Sequence, residues 1–484
     1  MYWTSSLTQW KKLDIPHEKP HFLWGNFEEV IYQKKTFFQI YENIYRTFRN
    51  VPYVGVYIIN RPGLLIRDPK LVKEVVLTNF SSFHDNDFIV DEEIDPIFGG
   101  NPFAKKGAKW KIRRATHTPQ FSSGKIKFMY NLVNQGGDRM TRYLADKISR
   151  SGEKYTIEAM ELAAKFTIYN VGNCALGIDP RTFDEENAEL REMGRKIIEP
   201  TFYNGVKQML IFVLPSLSHF LSFHIVPKEV TERFRILIKE QKQYRKENNI
   251  VRNDFFENIQ EYKGEKTTIE EMVVQAGGFF LDAFATNSMA LTFMLYELAI
   301  NLDVQRKLAE EVDKLLTSNN GNISYEVFQE IPYLDAVIAE SLRKHPPLAA
   351  FTKICTKTFT FPPVNDNAKP YTIEPGTPVV IPVMGLHYDD KYFPEPQRFD
   401  PTRFLDENKK NIEPYTYIPF NEGPRACIGK KFGLLQSKMM LLKLVAEYEI
   451  RLNAKTKTPL EYDVQSVLLA AQGGVWIDIY KRTK

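Results

Sequence analysis

Cysteine is scarce in this chain: Cys174, Cys355 and Cys427 are the three in 484 residues. An odd, sparse set builds no disulfide framework and points to a reducing compartment, where a thiol stays available for chemistry. A long apolar run is missing from the start. The opening residues, MYWTSSLTQWKKLDIPHEKP, hold nothing long enough for a signal peptide or a membrane span. An excess of one charge is missing too: the formal net charge is +4, so composition makes no case for a nucleic-acid partner. Length alone suggests about three domains, yet no shift in composition marks a cut. With 43% hydrophobic and 26% charged residues, the chain has the make-up of a globular body with ample core.

What is there starts with one of the three thiols. Phe420 to Gly429 reads FNEGPRACIG, with Gly423 and Gly429 either side of Cys427 and Pro419 just ahead, which predicts a tight irregular loop. From Lys430 onward, KKFGLLQSKMMLLKLVAEYEI repeats apolar residues at helical spacing, placing Cys427 beside a helix's free N–H groups and positive dipole end. That position favours a thiolate. A thiolate approached closely by glycine backbone suits an axial ligand of haem iron, tuned by N–H groups that donate to the sulfur. Arg425, two residues earlier, is placed to pair with a haem propionate. A lone cysteine before an amphipathic helix also reads as a buried, inert thiol, and the surrounding pattern decides between the two.

That pattern, Phe420-x-x-Gly423-x-Arg425-x-Cys427-x-Gly429, resembles the haem-binding signature of the cytochromes P450 and matches it at every position. The resemblance implies a mainly α fold with small β-sheets: one triangular domain whose long central helix lies over the haem. It implies haem b (iron protoporphyrin IX) as cofactor and Cys427 as the axial ligand of its iron. The reaction it implies splits dioxygen and inserts one atom into an organic substrate.

The rest of the chain supplies further stretches in the order this family has them. Tyr53 to Ile59 alternates and is β-branched, and Asn60-Arg61-Pro62-Gly63 is expected to turn it into Leu64-Leu65-Ile66. Phe83 to Lys106 has no clear period and reads as a long loop, which in the family roofs the substrate pocket. In KKGAKWKIRR, Trp110 and Arg114 stand four apart on one helical face, and the family's W-x-x-x-R pair contacts a propionate. Lys105, Lys106, Lys109 and Arg113, with Lys430 and Lys431, are expected to form a basic patch that receives an acidic electron donor. Met209 to Val226 is apolar but broken by Pro215 and polar residues, so it reads either as a surface-dipping segment or as a packed helix pair.

Thr268-x-x-Glu271 has the form of a capping box, and Met272 to Ile300 is apolar nearly all round. Asp282, Thr286, Asn287 and Glu297 argue against a membrane span, and a helix of roughly 33 residues would run about 50 Å, the width of a domain. The family's helix here carries Ala/Gly-Gly-x-acid-Thr. The aligned stretch is Asp282-Ala283-Phe284-Ala285-Thr286: the threonine is kept, and the acid has become Ala285. Asp282 stands one turn before Thr286 on the same face, so either it or ordered water is expected to replace the missing acid. Phe284, Ala285, Phe351 and Leu468 are expected to line the substrate pocket.

Pro332 opens a helix in which Glu340 and Arg343 are three apart. A buried ion pair needs a further partner, and the family resemblance supplies Arg403 from Phe399-Asp400-Pro401-Thr402-Arg403-Phe404, with Thr402 where glutamate is usual. Lys353 takes the position of a propionate-binding residue that is more often arginine, keeping the charge and losing the planar fork. Glu374-Pro375-Gly376-Thr377 marks a turn, and Val467 to Gly474 reads as strand then turn.

The resemblance runs from about Pro16 to the end. Strings such as YVGVYIINRPGLLIRDP and FSSFHDND are similar to the insect microsomal branch, family six and relatives. It implies a juxtamembrane segment over 1–20, with the membrane anchor absent from this sequence, and a haem-thiolate monooxygenase domain over 21–484. It further implies lipophilic substrates (xenobiotics, plant toxins, insecticides or endogenous lipids) and electrons from an NADPH-dependent flavoprotein reductase, with cytochrome b5 as a second candidate donor. The location implied is the cytosolic face of the endoplasmic reticulum, with Met209 to Val226 and the N-terminus at the membrane surface. Two other readings stand: a reductase-independent enzyme that isomerises or dehydrates peroxides, and a low-turnover haem protein that binds lipophiles.

Overall fold

In the computed structural model, which describes residues 6–252, 254–262 and 265–483, helices carry the body and β-structure sits at its margins. Tyr2 and Trp3 of the expected juxtamembrane segment lie outside the described residues.

Apolar residues nearly all round leave the stretch after Thr268 with no face for water, and it becomes a 32-residue helix, Ile269–Ile300, threaded through the molecule. Thr268 Oγ1 caps it by accepting the Glu271 N–H at 3.2 Å. The reciprocal bond of a capping box is not made, because the Glu271 carboxylate turns to Arg113 and to Gln275. Among the described residues this is the one helix long and apolar enough to cross a membrane, but 83% of its most apolar window is buried inside the protein, which makes it the core rod.

A five-stranded sheet stands to one side, in the order Tyr53–Ile58, Arg61–Ile66, Pro378–Ile381, Phe351–Ile354, Asp85–Asn86. The first two pair antiparallel with Tyr53 opposite Ile66 and Ile58 opposite Arg61. The turn between them is tighter than the sequence suggested: Ile59 and Asn60 make it, Ile59 at a φ of 59°, while Pro62 and Gly63 are already strand residues. Gly63 is demanded by its neighbour, since a Cβ there would lie 2.9 Å from the Pro378 carbonyl oxygen. This pairing carries Lys353 and Asn86 to adjacent positions at one edge. The segment before Pro20 docks on the same sheet, with Trp10 fully buried and its indole N–H donating to the Val56 carbonyl at 3.1 Å.

A second sheet joins Tyr448–Leu452, Trp476–Lys481 and Lys154–Glu158. The strand expected within Val467 to Gly474 is not formed. That stretch is a loop touching Tyr462 through one bridge at Ala471 and ending on Gly473 and Gly474, both at a φ of 78°.

Beneath the central helix, Pro332–Lys344 presents Leu334, Val337, Ile338 and Leu342 to the core. Glu340 and Arg343 meet there, fully buried, through bonds of 2.7 and 2.8 Å. Arg343 also donates to the carbonyls of His387 and Pro396, each at 2.8 Å, and Glu340 accepts the Asp400 N–H at 2.9 Å. Arg403 Nε stands 3.5 Å from Glu340 Oε1, the third partner that the pair needed. Thr402 binds its own neighbour, Asp400. The ion pair thus stitches the chain from His387 to Arg403 to the core, and the chain then delivers Phe420.

Candidate functional site

The loop before the last long helix, Lys430–Glu447, forms one 3-10 turn at Gly423–Arg425 and closes on Phe420, whose carbonyl accepts the Cys427 N–H at 2.8 Å. Gly423 sits at a φ of 72°, and a Cβ on it would overlap the Val76 carbonyl oxygen. Gly429 is different: its φ is −86° and the nearest atom to a Cβ would be Cys427 Sγ at 4.0 Å. Its N–H donates to that sulfur.

Cys427 keeps free surface, yet protein surrounds it, so the thiol borders an internal hollow rather than the outer face. The helix end was expected to favour a thiolate. Burial outweighs it and pushes the thiol up, as does the charge of Asp282 across the hollow, against the pull of the Gly429 N–H, Arg114 and Lys430. A metal cation at the sulfur is what would hold the thiolate.

Beside the sulfur lie three buried or half-buried cations. Arg425 donates to the carbonyls of His84 (2.7 Å), Pro102 (2.9 Å) and Lys105 (2.8 Å) and to Asp85 Oδ1 (3.2 Å), with its guanidinium 4.4 Å from the Trp110 ring centroid. Arg114 donates to the Ala426 carbonyl at 2.8 Å. Lys353 donates to Asn86 Oδ1 at 2.8 Å. Burial, then the Arg425 charge, pulls Lys353 down to about 7, and burial pulls Arg425 down to about 10, with Arg114 adding to it and Asp85 opposing. Asp85 is the one carboxylate within an ion-pair distance of the three among the described residues. Arg114 and Lys353 have no carboxylate within ion-pair distance among the described residues. A planar group with two carboxylates and a metal for the sulfur fits this donor set, and haem is such a group.

On the other side of the hollow the central helix presents Asp282, Ala283 and Thr286. Thr286 Oγ1 donates to the Asp282 carbonyl at 2.6 Å. Asp282 Oδ2 accepts from Asn101 Nδ2 at 2.7 Å. Asp282 is open by surface and deep by position, and depth governs its charge, because protein lies on every side; burial holds the carboxyl up at about 6.

Phe284 and Ala285 do not line this hollow. Phe284 is fully buried against Phe280 and beside Gly194, and Ala285 is buried with it. The reason is periodicity: two steps along a helix turn about 200°, so Phe284 points away from Asp282. Ala283 takes the place given to them. Phe351 and Leu468 are half-buried at the margins of the two main core clusters.

The expected basic patch is also smaller. Lys105 is buried and ion-paired with Glu92, Lys106 is half-buried with burial lowering its affinity for a proton, and Arg113 is bound to Glu271. Lys109, Lys430 and Lys431 remain exposed. Lys105 and Lys106 lie just ahead of the helix Gly107–His117 that carries Arg113, and the carboxylates that bind Lys105 and Arg113 stand in segments that their own neighbours in sequence do not reveal.

Sequence reasoning missed Asn101, Asp85 and Asn86, which tie the roof loop to the central helix, Arg425 and Lys353. The string FSSFHDND carries Asp85 and Asn86, while Asn101 lies outside it and has no comparable signal in the sequence. It also missed the aromatic roof, where Phe88 stands 5.1 Å from Phe103 and 5.3 Å from Phe212 between ring centroids. Elsewhere a groove of about 1140 Å³ runs past Glu158, Glu161, Arg191 and Trp476. Several of its charges pair with each other, as in Arg191 to Glu161 at 2.6 Å, and it holds none of the expected site residues.

An open thiol facing a hollow, with cations at its rim, is a donor set that a haem-thiolate centre would use. The family model for cytochrome P450 matches residues 15–477, and the chain belongs to the cytochrome P450 family. It is 34% identical to cytochrome P450 6k1 of Blattella germanica, over 100% of this chain and 95% of that one. It is 33% identical to cytochrome P450 9e2 of the same species (98% and 93% covered) and 35% identical to probable cytochrome P450 6a13 of Drosophila melanogaster (96% and 93%). The protein is therefore a haem-containing monooxygenase that acts on lipophilic substrates and draws electrons from a reductase partner. The mainly α fold with small sheets agrees with the family.

Proposed function

We propose that this monooxygenase oxidises lipophilic xenobiotics or endogenous lipids inside the hollow between Cys427 and the Asp282–Thr286 face. The observation that carries this reading is the open thiol of Cys427 facing that helix face from within an enclosed hollow. Cys427 supplies the sulfur ligand, with the Gly429 N–H withdrawing part of its negative charge. Arg114, Arg425 and Lys353 would hold the two propionates, with the Trp110 ring against Arg425. Bound haem supplies the redox chemistry: one atom of dioxygen enters the substrate and the other leaves as water, with two electrons and two protons consumed. Thr286 gives its own proton to the Asp282 carbonyl, so its oxygen is free to accept a proton donor in the hollow. Asp282, held near 6, carries and releases a proton near neutrality in place of the acid absent at Ala285.

The electron donor is an NADPH-dependent flavoprotein reductase, with cytochrome b5 as an alternative donor, docking at exposed Lys109, Lys430 and Lys431. Residues 1–20 lead into a catalytic domain over 21–484 held on the cytosolic face of the endoplasmic reticulum. Support comes from Leu217, Phe220 and Leu221, all exposed, Phe220 at 81%. They follow the helix Phe202–Val213, whose buried Val213 shares a core cluster with Trp10. Apolar side chains offered to solvent there suit a lipid surface.

The test is NADPH and dioxygen consumption by the haem-loaded protein with a microsomal reductase across a panel of lipophiles, products followed by mass spectrometry. Substrate-dependent consumption with a singly oxygenated product is expected. Rapid conversion of a fatty-acid hydroperoxide with no reduction by NADPH would overturn the reading in favour of a peroxide isomerase. For Asp282, the Ala variant is expected to waste NADPH, and unchanged product per NADPH would remove it from proton delivery.

A further inference from the structure

Asp282 is the carboxylate on the helix face turned to the hollow, and the protein supplies it with one hydrogen bond and no counter-charge. Oδ2 accepts from Asn101, and Oδ1 has no protein partner among the described residues. No Lys, Arg or His lies within 4.0 Å of either oxygen among those residues. The cations beyond it, Arg114, Arg425 and Lys353, belong to the opposite rim, where the propionates would neutralise them. Cys427, the other ionisable group facing it, is negative when it binds a metal.

Asn101 is built to keep this arrangement. It is 3% exposed, its Oδ1 accepts the Phe103 N–H at 2.8 Å, and its carbonyl accepts the N–H groups of Ala104 and Lys105. The amide is therefore fixed with its N–H aimed at Asp282, and the free oxygen is the one left to the hollow. The neighbour of Asp282 on the helix is Ala283, and the Thr286 hydroxyl is taken by the Asp282 carbonyl, so a charged carboxylate in that setting gains most from a cation delivered on an apolar ligand.

We propose that Asp282, held by Asn101, is an anionic anchor for substrates that carry a positively charged nitrogen on a lipophilic body. The anchor fixes the nitrogen near Asp282, and the carbon a few bonds away is presented to the oxidant. This rests on the monooxygenase reading above and adds the substrate class to it.

The experiment uses the haem-loaded protein and two probes of one shape: an arylalkyl trimethylammonium ion and its uncharged tert-butyl isostere. A quaternary nitrogen cannot ligate iron and holds its charge at every pH, so the pair differs in charge alone. Equilibrium dialysis at low salt is expected to give at least tenfold tighter binding of the ion by the native protein. Asp282→Asn is expected to abolish that preference while binding the isostere within twofold of native. Equal affinities in the native protein overturn the proposal without any variant, as does a preference that survives in Asp282→Asn. Product per NADPH from the neutral isostere, measured on the same two proteins, reports the proton role separately: wasted NADPH in Asp282→Asn with no charge preference would leave the relay standing and the anchor refuted.

Discussion

The Arg425 guanidinium lies over the Trp110 indole, 4.4 Å from its ring centroid, so two residues separated by more than three hundred positions form one unit at the rim of the hollow. Each was expected to meet a propionate on its own account. Instead the indole and three backbone carbonyls fix the fork of Arg425 before any ligand arrives.

Arg425→Lys keeps the charge and loses the fork and the stack. Haem bound per chain, read from absorbance after gel filtration, is expected to fall by about tenfold or more, the range seen when a partner that orients a metal ligand set is removed. Trp110→Leu is expected to fall in the same direction by less.

Glu340→Gln leaves the Arg343 charge uncompensated in a fully buried place. The expected cost is about 3–5 kcal/mol, read as a lower urea midpoint, with little soluble protein at 37 °C. Arg403→Lys, at the 3.5 Å contact and only partly buried, is expected to cost about 1 kcal/mol or less.

Lys353 gives the haem-free protein a pH signature. Its folded value is drawn from 10.5 down to about 7, so between those limits the unfolded chain binds more protons and stability rises with pH. The rise from pH 7 to 9 is expected to be about 2 kcal/mol from this group. Lys353→Met is expected to remove that rise, whatever its effect on stability at one pH. Urea titrations of both proteins at the two pH values measure it.

The two glycines beside the thiol separate cleanly. Gly423→Ala forces a side chain onto the Val76 carbonyl at a positive φ and is expected to cost more than about 2 kcal/mol. Gly429→Ala meets no atom closer than 4.0 Å at an ordinary φ and is expected to change stability by less than about 0.5 kcal/mol.

Much of this site was legible because its chemistry is written in short strings. Cys427 with its glycines, Glu340 three residues from Arg343, and the Asp282–Thr286 turn each fall inside one element, where spacing dictates geometry. The central helix was legible for the same reason, its long apolar run excluding any solvated face. What escaped depends on chain closure. Asn101, Asp85 and Asn86 gain their meaning from partners a few hundred residues away, and Lys105 looked solvated until Glu92 and the Arg425 loop enclosed it. The slipped hairpin turn came from giving Pro62 and Gly63 their usual role, when the strand beside them needed a residue without a side chain. Phe284 was an avoidable miss, since helix periodicity already turned it away.

That orientation of Phe284 bears on what inheritance can change. The far side of the central helix is filled by Phe280, Phe284 and the space beside Gly194, while the near side offers Asp282, Ala283 and Thr286 with room in front of them. Mutation is thereby sorted by helix phase: on one side a new residue breaks the packing, on the other it leaves the fold standing and acts on proton delivery or on the diet of molecules the enzyme accepts. A lineage can rewrite its chemistry here one residue at a time, without ever passing through an unfolded ancestor.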